Sequence, residues 1–512
     1  MSVTSQAMNA CVFCKHAKRK CDKARPACSN CARLGRSCVY AEDNVRTSFA
    51  DNHWQGIPLL GSCKRPNLPL ADCLSGVDPS SHDSLQQSTV DMVMRIFGSL
   101  SSVATISGEF FIGTHQRIPT ISRLRFEENL LTLTTRPRAD FAVLCLTILL
   151  LQQMPLGKET NMQSPLYFTV KNLITLLETK SNPYLDLMHC RVLVTFYEVG
   201  HGFHREAYVS LAGCARAGRG LGLHKKPWRN LDADSDRLAL EEEKRTWWEI
   251  VLIDRFINLY NKDTFFVTGD PERTEPLPIE DLLWSESSSH ADLQSHIDAA
   301  PSLDTPFNIT VGQLARECQI SHLVGHVVRH VFDPVLDPGF NTEEAVQLER
   351  TLRAYLPLLS NEELKIGKYC GAYGMCNRYA MLWLSTLRST KLLSNKHSSL
   401  FILYEYMLSR NPDNASERRR VQRSIEETAF GALNFAAAAY ADQEGNYPTD
   451  VFSPYLPHSL YQAAILYHRL WTQRGHIVYK QRLDKLKAII GNLTKRWMIA
   501  WHYLEAIDKL DQ

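Results

Sequence analysis

Six of the fourteen cysteines fall between Cys11 and Cys38, and their spacing carries the clearest chemistry in the sequence. They read Cys11-x2-Cys14-x6-Cys21, six residues, then Cys28-x2-Cys31-x6-Cys38, so one spacing occurs twice. A Cys-x2-Cys pair lets two thiolates grip one ion from a single turn, and the third cysteine returns after a short helix and a bend. Structural zinc is tetrahedral and takes four ligands. Two ions therefore need eight ligand positions, which six thiolates fill only if two of them bridge both ions. The spacing predicts a binuclear cluster, with two zinc ions held by Cys11, Cys14, Cys21, Cys28, Cys31 and Cys38. The other eight cysteines are scattered from Cys63 to Cys376, and in a reducing compartment such a cluster binds metal rather than forming disulfides. Apart from Val12, Phe13, Leu34, Val39 and Tyr40 the segment has little to bury. Metal must then supply most of its folding free energy, on the order of 10 kcal/mol per site. A RING-type site would need interleaved pairs, usually with a histidine, and His16 lies outside the repeat, where it reads as a solvent or phosphate contact.

The same segment is basic. Residues 1–41 hold eight Lys or Arg against one acid, Asp22, a net +7, which leaves −5 for the rest of a chain whose total is +2. A basic head on a mildly acidic body points to a polyanionic partner for the head alone. Lys15, Lys18, Arg19 and Lys20 lie on and just after the short helix expected to follow Cys14, with Lys15 and Lys18 three apart on one face. Lysine and arginine reach guanine O6 and N7 from the major groove, while neighbouring cations hold phosphates. Lys18 is assigned to the guanine pair, and Lys15, Arg19, Lys20 and Arg25 to the backbone of double-stranded DNA. The basic string, with Lys64 and Arg65, also suits nuclear import, so the nucleus is the expected location.

The segment Cys11-Val-Phe-Cys-Lys-His-Ala-Lys-Arg-Lys-Cys-Asp-Lys-Ala-Arg-Pro-Ala-Cys-Ser-Asn-Cys closely resembles the fungal binuclear zinc cluster transcription factors. The resemblance implies that Cys11 and Cys28 bridge the ions, that Pro26 supports the loop joining the halves, and that CGG-type triplets are read. A second segment, Tyr184 to Trp284, resembles the regulatory middle region of that family. Its landmarks are Leu221-Gly-Leu-His224, Glu243-Lys-Arg-Thr-Trp-Trp248, Ile253-Asp-Arg255 and Leu277-Pro-Ile-Glu-Asp281 with Trp284. Weaker echoes occur at Phe110 to Phe126, around His115 and Pro119, and at Pro454 to Tyr461. Where the family usually carries Gly-Arg-Pro, this chain has Asn261-Lys-Asp-Thr264, which leaves the local turn open.

The elements behind these motifs are helices. The expected fold is mainly α: a small N-terminal zinc cluster module at 8–41, a flexible linker at 42–88 with Pro58, Pro66, Pro69 and Pro79, and a large all-α regulatory domain at 89–510. From Val90 apolar residues recur at helical spacing, and Phe141 to Leu151 is apolar on all sides. Trp247, Val251, Asp254 and Asn258 share one stripe with Ile250, Phe256, Ile257 and Tyr260 around it, which reads as core. Arg245, Asp254 and Arg255 are either internal ion pairs or exposed charges at helix ends. Glu241 to Glu243 reads as a solvated helix start, His224 as a helix-end residue, and Ser285 to Asp304 and Ser409 to Arg420 as surface loops. No run of heptads follows the cluster, so pairing by a coiled coil is not expected; a monomer, or a homodimer through another interface, stays open.

Composition excludes some classes. At 44 % hydrophobic and 22 % charged, the chain has a globular makeup; it shows no secretory start, and its longest apolar run is eleven residues, short of a membrane span of ~20. A soluble intracellular protein without a membrane partner is expected. No Gly-rich phosphate loop, Gly-x-Ser-x-Gly elbow or His-Glu-x-x-His site occurs, so no enzyme is expected. The reading is a sequence-specific transcription factor of RNA polymerase II genes whose helical domain meets the transcription machinery or co-regulators. A pathway-specific activator of a fungal secondary-metabolite gene cluster is the finer hypothesis. The rival is a zinc-dependent interaction scaffold or co-regulator without sequence-specific DNA binding.

Overall fold

The computed structural model describes residues 14, 20–24, 28–33, 77–180, 185–225, 236–281, 284, 297, 300–355, 378–410, 414–441 and 452–511. The chain divides into two compact units, residues 1–66 and 67–511. In the first, the helix α1 is Ser29–Arg33. The second is helical throughout: α2 (His82–Phe97), α3 (Leu100–Ile112), α4 (Arg123–Thr132), α5 (Ala139–Leu151), α6 (Pro165–Lys180), α7 (Leu185–Gly200), α8 (His204–Gly220), α9 (Arg237–Asn261), α10 (Gln313–Phe332), α11 (Pro338–Ala354), α12 (Arg378–Arg410), α13 (Ala415–Ala441), α14 (Leu456–Arg474), α15 (Ile477–Leu493) and α16 (Ile499–Asp508). Among the described residues there is no strand, though Pro276 and Ser302 form an isolated bridge, and no single helix is long and apolar enough to cross a membrane.

Two serines start the second unit. Ser81 Oγ accepts from the Ser84 amide at 3.1 Å, and Ser99 Oγ accepts from the Ser102 amide at the same distance, each an N-cap. Between them Gly98, at φ 76°, ends α2 in a conformation open to glycine. Helix α2 thus begins before residue 89, inside the stretch read as linker, because Ser81, taken for linker composition, acts there as its cap. Residues 42–76 of that stretch lie outside the described residues.

Helix α5 is buried on nearly every side, as its unbroken apolar run requires, and it packs against α2, α6 and α7. Helix α7 in turn packs on α8 and α9, and α9 on α10. The last helices return to this core. Phe256 of α9 stacks on Tyr455 with ring centroids 3.9 Å apart, and Phe196 of α7 meets Trp497 edge-on at 5.8 Å. At Gly200 an added Cβ would lie 2.2 Å from the Trp497 ring, so only glycine lets the end of α7 approach so closely.

Helix α9 carries the landmark motifs, and its charges are inside. Trp247, Val251, Asp254 and Asn258 are buried, as the stripe predicts. Arg245, fully buried, donates from Nε to Glu241 (2.9 Å), from Nη1 to Asp281 (2.9 Å) and the Pro119 carbonyl (3.3 Å), and from Nη2 to the Ile279 carbonyl (2.8 Å). Its guanidinium lies 4.6 Å from the Trp284 ring centroid. Glu241 also accepts from the Ile279 amide (2.9 Å) and pairs with Lys244 (2.6 Å). The Glu243-to-Trp248 and Leu277-to-Asp281 landmarks are therefore two halves of one contact. Glu241 and Glu242 are not the solvated helix start that an acidic run suggests: they are buried because Lys244, Arg245 and Arg125 meet them, Arg125 Nε lying 3.2 Å from Glu242.

Asp254 repeats the pattern. It accepts from the Thr268 amide (2.9 Å) and hydroxyl (2.5 Å), from Arg255 (3.0 Å) and from Asn258 (2.7 Å), which makes the internal ion pair the correct alternative. A third buried group joins Glu249 to Lys391 at 2.6 Å, with Glu317 at 3.5 Å from the same ammonium. Burial lifts Glu317 to about 7.

Two local readings resolve in the same terms. Lys262 closes α9 in the left-handed region at φ 57°, the position a glycine would fill most easily. The polar stretch 409–420 is mostly helix: Arg410 ends α12, and α13 starts at Ala415 with Asn414 Oδ1 accepting from the Glu417 amide at 3.1 Å. Residues 285–296 of the other expected loop lie outside the described residues.

Replacing Asp281 with alanine strands a buried guanidinium, and the body should lose about 3 kcal/mol, read as a lower urea midpoint. Acid is a second test. Burial, with the Lys262 charge nearby, lowers His458 to about 3. The unfolded chain takes that proton near 6.5 and the folded one does not, so stability falls as pH falls from 6.5 towards 3. Glu242 and Glu317, lifted by burial to about 7, work the other way over 4.5 to 7. Comparing His458→Gln with the parent isolates the histidine: the drop in stability between pH 6.5 and pH 5 should shrink by up to about 2 kcal/mol in urea melts.

Candidate metal centre and nucleic-acid interface

Four of the six cysteines fall within the described residues: Cys14, Cys28 and Cys31 are buried, and Cys21 is half-buried. The Cys14 and Cys28 sulfurs are 3.7 Å apart. Two thiolates on one tetrahedral zinc, each at ~2.3 Å, are separated by about 3.8 Å. Ligand atoms of Cys14, Cys28 and Cys31 lie within 4.8 Å of one another, and those of Cys21, Asp22 and Cys28 form a second such group. Cys28 is common to both, the placement a bridging thiolate needs. Sulfur donors in this number and spacing suit zinc.

Local structure sets these sulfurs. The Cys28 carbonyl accepts from the Ala32 amide at 2.9 Å, so α1 starts at the ligand itself, and Cys28 Sγ accepts from the Cys31 amide at 3.4 Å. A Cys-x2-Cys pair on one helical turn thereby presents both thiols to one side. Asn30 donates from Nδ2 to Cys14 Sγ at 3.2 Å, which ties the two halves of the repeat together. Burial pushes the Cys28 thiol up to about 12, so a thiolate there requires a cation beside it, which zinc supplies.

Asp22 has a structural task beyond its charge. Its carboxylate accepts the Ser29 amide at 3.0 and 3.2 Å and the Ser29 hydroxyl, clamping the start of α1, and the Ser29 hydroxyl holds it below the usual carboxylate range. Next to it Lys23 adopts φ 60°, turning the chain after Cys21. Asn30 and Asp22 escaped the sequence reading, although their places just before a ligand and just after one were the available signal.

Of the residues assigned to DNA, Lys20 is exposed. Lys15, Lys18, Arg19 and Arg25 lie outside the described residues, as do Cys11, Cys38, His16 and Pro26. In the body, His224 sits half-buried in the turn after α8, its ring 5.8 Å from that of Trp247. It therefore follows the helix end, four residues past Gly220, rather than forming it.

Residues 9–47 match the fungal Zn(2)-Cys(6) binuclear cluster domain, and residues 108–342 match the fungal specific transcription factor domain. The cluster domain binds two zinc ions, which the gathered thiols fit. Transcription factor BOA15 of Botryotinia fuckeliana is 31 % identical over 148 residues, covering 29 % of this chain and 82 % of that protein. Oleate activated transcription factor 3 of Kluyveromyces lactis is 54 % identical over 51 residues, 10 % of this chain and 8 % of that protein. These likenesses are to transcription factors, and they point away from an enzyme. With the doubled cysteine spacing, the thiols gathered around Cys28 and both domain matches, the chain belongs to the fungal Zn(2)-Cys(6) binuclear cluster transcription factors.

Proposed function

We propose that the chain is a nuclear regulator of RNA polymerase II genes that reads CGG-type triplets in the major groove. Cys11, Cys14, Cys21, Cys28, Cys31 and Cys38 hold the two zincs, with Cys11 and Cys28 bridging. Lys18 contacts the guanine pair, and Lys15, Arg19, Lys20 and Arg25 hold phosphates. The module spans 8–41, a linker follows it from 42, and the regulatory body, opened by α2 at His82 and extending to 510, engages co-regulators or the transcription machinery. The observation that carries this reading is that one thiol, Cys28, belongs to both ligand groups, beside a segment of net charge +7. A cationic surface fixed by a metal cluster, rather than by a core, is suited to a polyanion.

The test uses the full-length zinc-loaded protein, with selection from random duplexes at a stated salt concentration. The parent should enrich CGG, and a single or doubled triplet tells monomer from dimer. Lys18→Ala should keep two zincs and lose roughly 10- to 100-fold in discrimination for the triplet. Cys28→Ala should lose zinc and DNA binding together. Zinc uptake with no enriched sequence would overturn the reading and leave an interaction scaffold.

Within this reading the chain activates a fungal secondary-metabolite gene cluster. A middle region that departs from the family at Asn261 to Thr264 supports a dedicated pathway regulator. Deleting the gene should lower transcripts of neighbouring biosynthetic genes; unchanged transcripts would count against it.

A further inference from the structure

Helix α10 carries His322, His326 and His330 four residues apart, one stripe of the helix. The Nε2 atoms of His322 and His326 are 3.1 Å apart, their rings nearly perpendicular with centroids at 4.6 Å. Both side chains are half-buried, so their surroundings fix them without closing them off. Two imidazole nitrogens at ~2.0–2.1 Å from one ion and 3.1 Å from each other subtend about 98° at the metal, between the square-planar and tetrahedral angles. The pair is thus already spaced for chelation.

His330 is engaged elsewhere. Its Nδ1 lies 2.7 Å from Glu344, and its ring packs edge-on to Tyr406 at 4.9 Å, which leaves a two-ligand site. The charges facing the pair come from more than one element. Arg255 of α9 and Arg329 of α10 are the cations, and Asp270, which pairs with Arg329 at 2.6 Å, and Glu344 of α11 are the acids; Arg255 is itself paired with Asp254 at 3.0 Å. The two carboxylates offset the two guanidiniums, so no net positive charge repels an incoming ion.

We propose that His322 and His326 bind one divalent transition-metal ion of the zinc, nickel or copper class through their Nε2 atoms, with water completing the coordination. Structural zinc sites are closed by four protein ligands, whereas this one leaves positions open, so its ion exchanges while the cysteine cluster keeps its own. A hydrogen bond between the rings also fits 3.1 Å, but it needs one Nε2 to carry a proton. Metal requires both Nε2 lone pairs, with each ring protonated at Nδ1.

The full-length protein, loaded with its two cluster zincs and dialysed free of loosely held metal, is titrated calorimetrically with zinc and separately with nickel. One further equivalent is expected. His322→Ala and His326→Ala should each weaken it by at least about tenfold. Circular dichroism of each variant reports whether α-helix content is kept, and the parent titration decides the question even where a variant misfolds. No uptake beyond the cluster zincs, or a further equivalent of undiminished affinity in both alanine variants, would overturn the proposal.

Discussion

A guanidinium with no exposure to water must find its hydrogen-bond acceptors inside the protein, and the body is arranged around one, Arg245, that makes four such bonds. Arg245 sits in the middle of α9 and takes its partners from Glu241 one turn away, from Asp281 and Ile279 in the segment after the helix, and from the carbonyl of Pro119. Desolvating a charge is costly, and the cost is offset only when every partner is in place. Three stretches far apart in sequence are therefore held in one register by one side chain. Asp254, and Glu249 with Lys391 of α12 as its partner, impose the same condition further along the same helix. Apolar packing makes α5, α7 and α9 a core, and these polar contacts specify which way round it is assembled.

The zinc module solves a different problem with the same economy of residues. Its sequence offers few apolar residues to bury, so ligand positions, rather than side-chain packing, set its shape. Cys28 begins α1, accepts the Cys31 amide and belongs to both ligand groups. Asp22 and Asn30 fasten the helix start and the opposite thiol.

The parts legible in the sequence were those governed by spacing. Two identical cysteine intervals predict the cluster, and the eleven-residue apolar run predicts a helix buried on all sides. The 3.6-residue stripe from Trp247 to Asn258 predicts a core face. What composition suggested was less secure, because a polar residue has no fixed address until its partner is known. Glu241 and Glu242 looked solvated and are buried, since their cations come from Lys244, Arg245 and Arg125. Ser81, which read as linker, caps α2, and a polar stretch that read as loop starts α13 on Asn414. The His322 and His326 pair had a visible interval, but only the structure brings two nitrogens to 3.1 Å.

Consider the return of the C-terminal helices onto the core. Phe196, Glu249 and Phe256 lie within the matched span 108–342, yet their partners Trp497, Lys391 and Tyr455 lie beyond it, and Arg496 donates to the Leu151 carbonyl at 2.6 Å. A nascent body emerging from the ribosome must hold these faces of α7 and α9 uncovered until residues 391, 455 and 497 have been synthesised. The matched span is thus a stretch of shared ancestry whose core is completed by residues outside it, and a frameshift ahead of Arg496 would uncover that core.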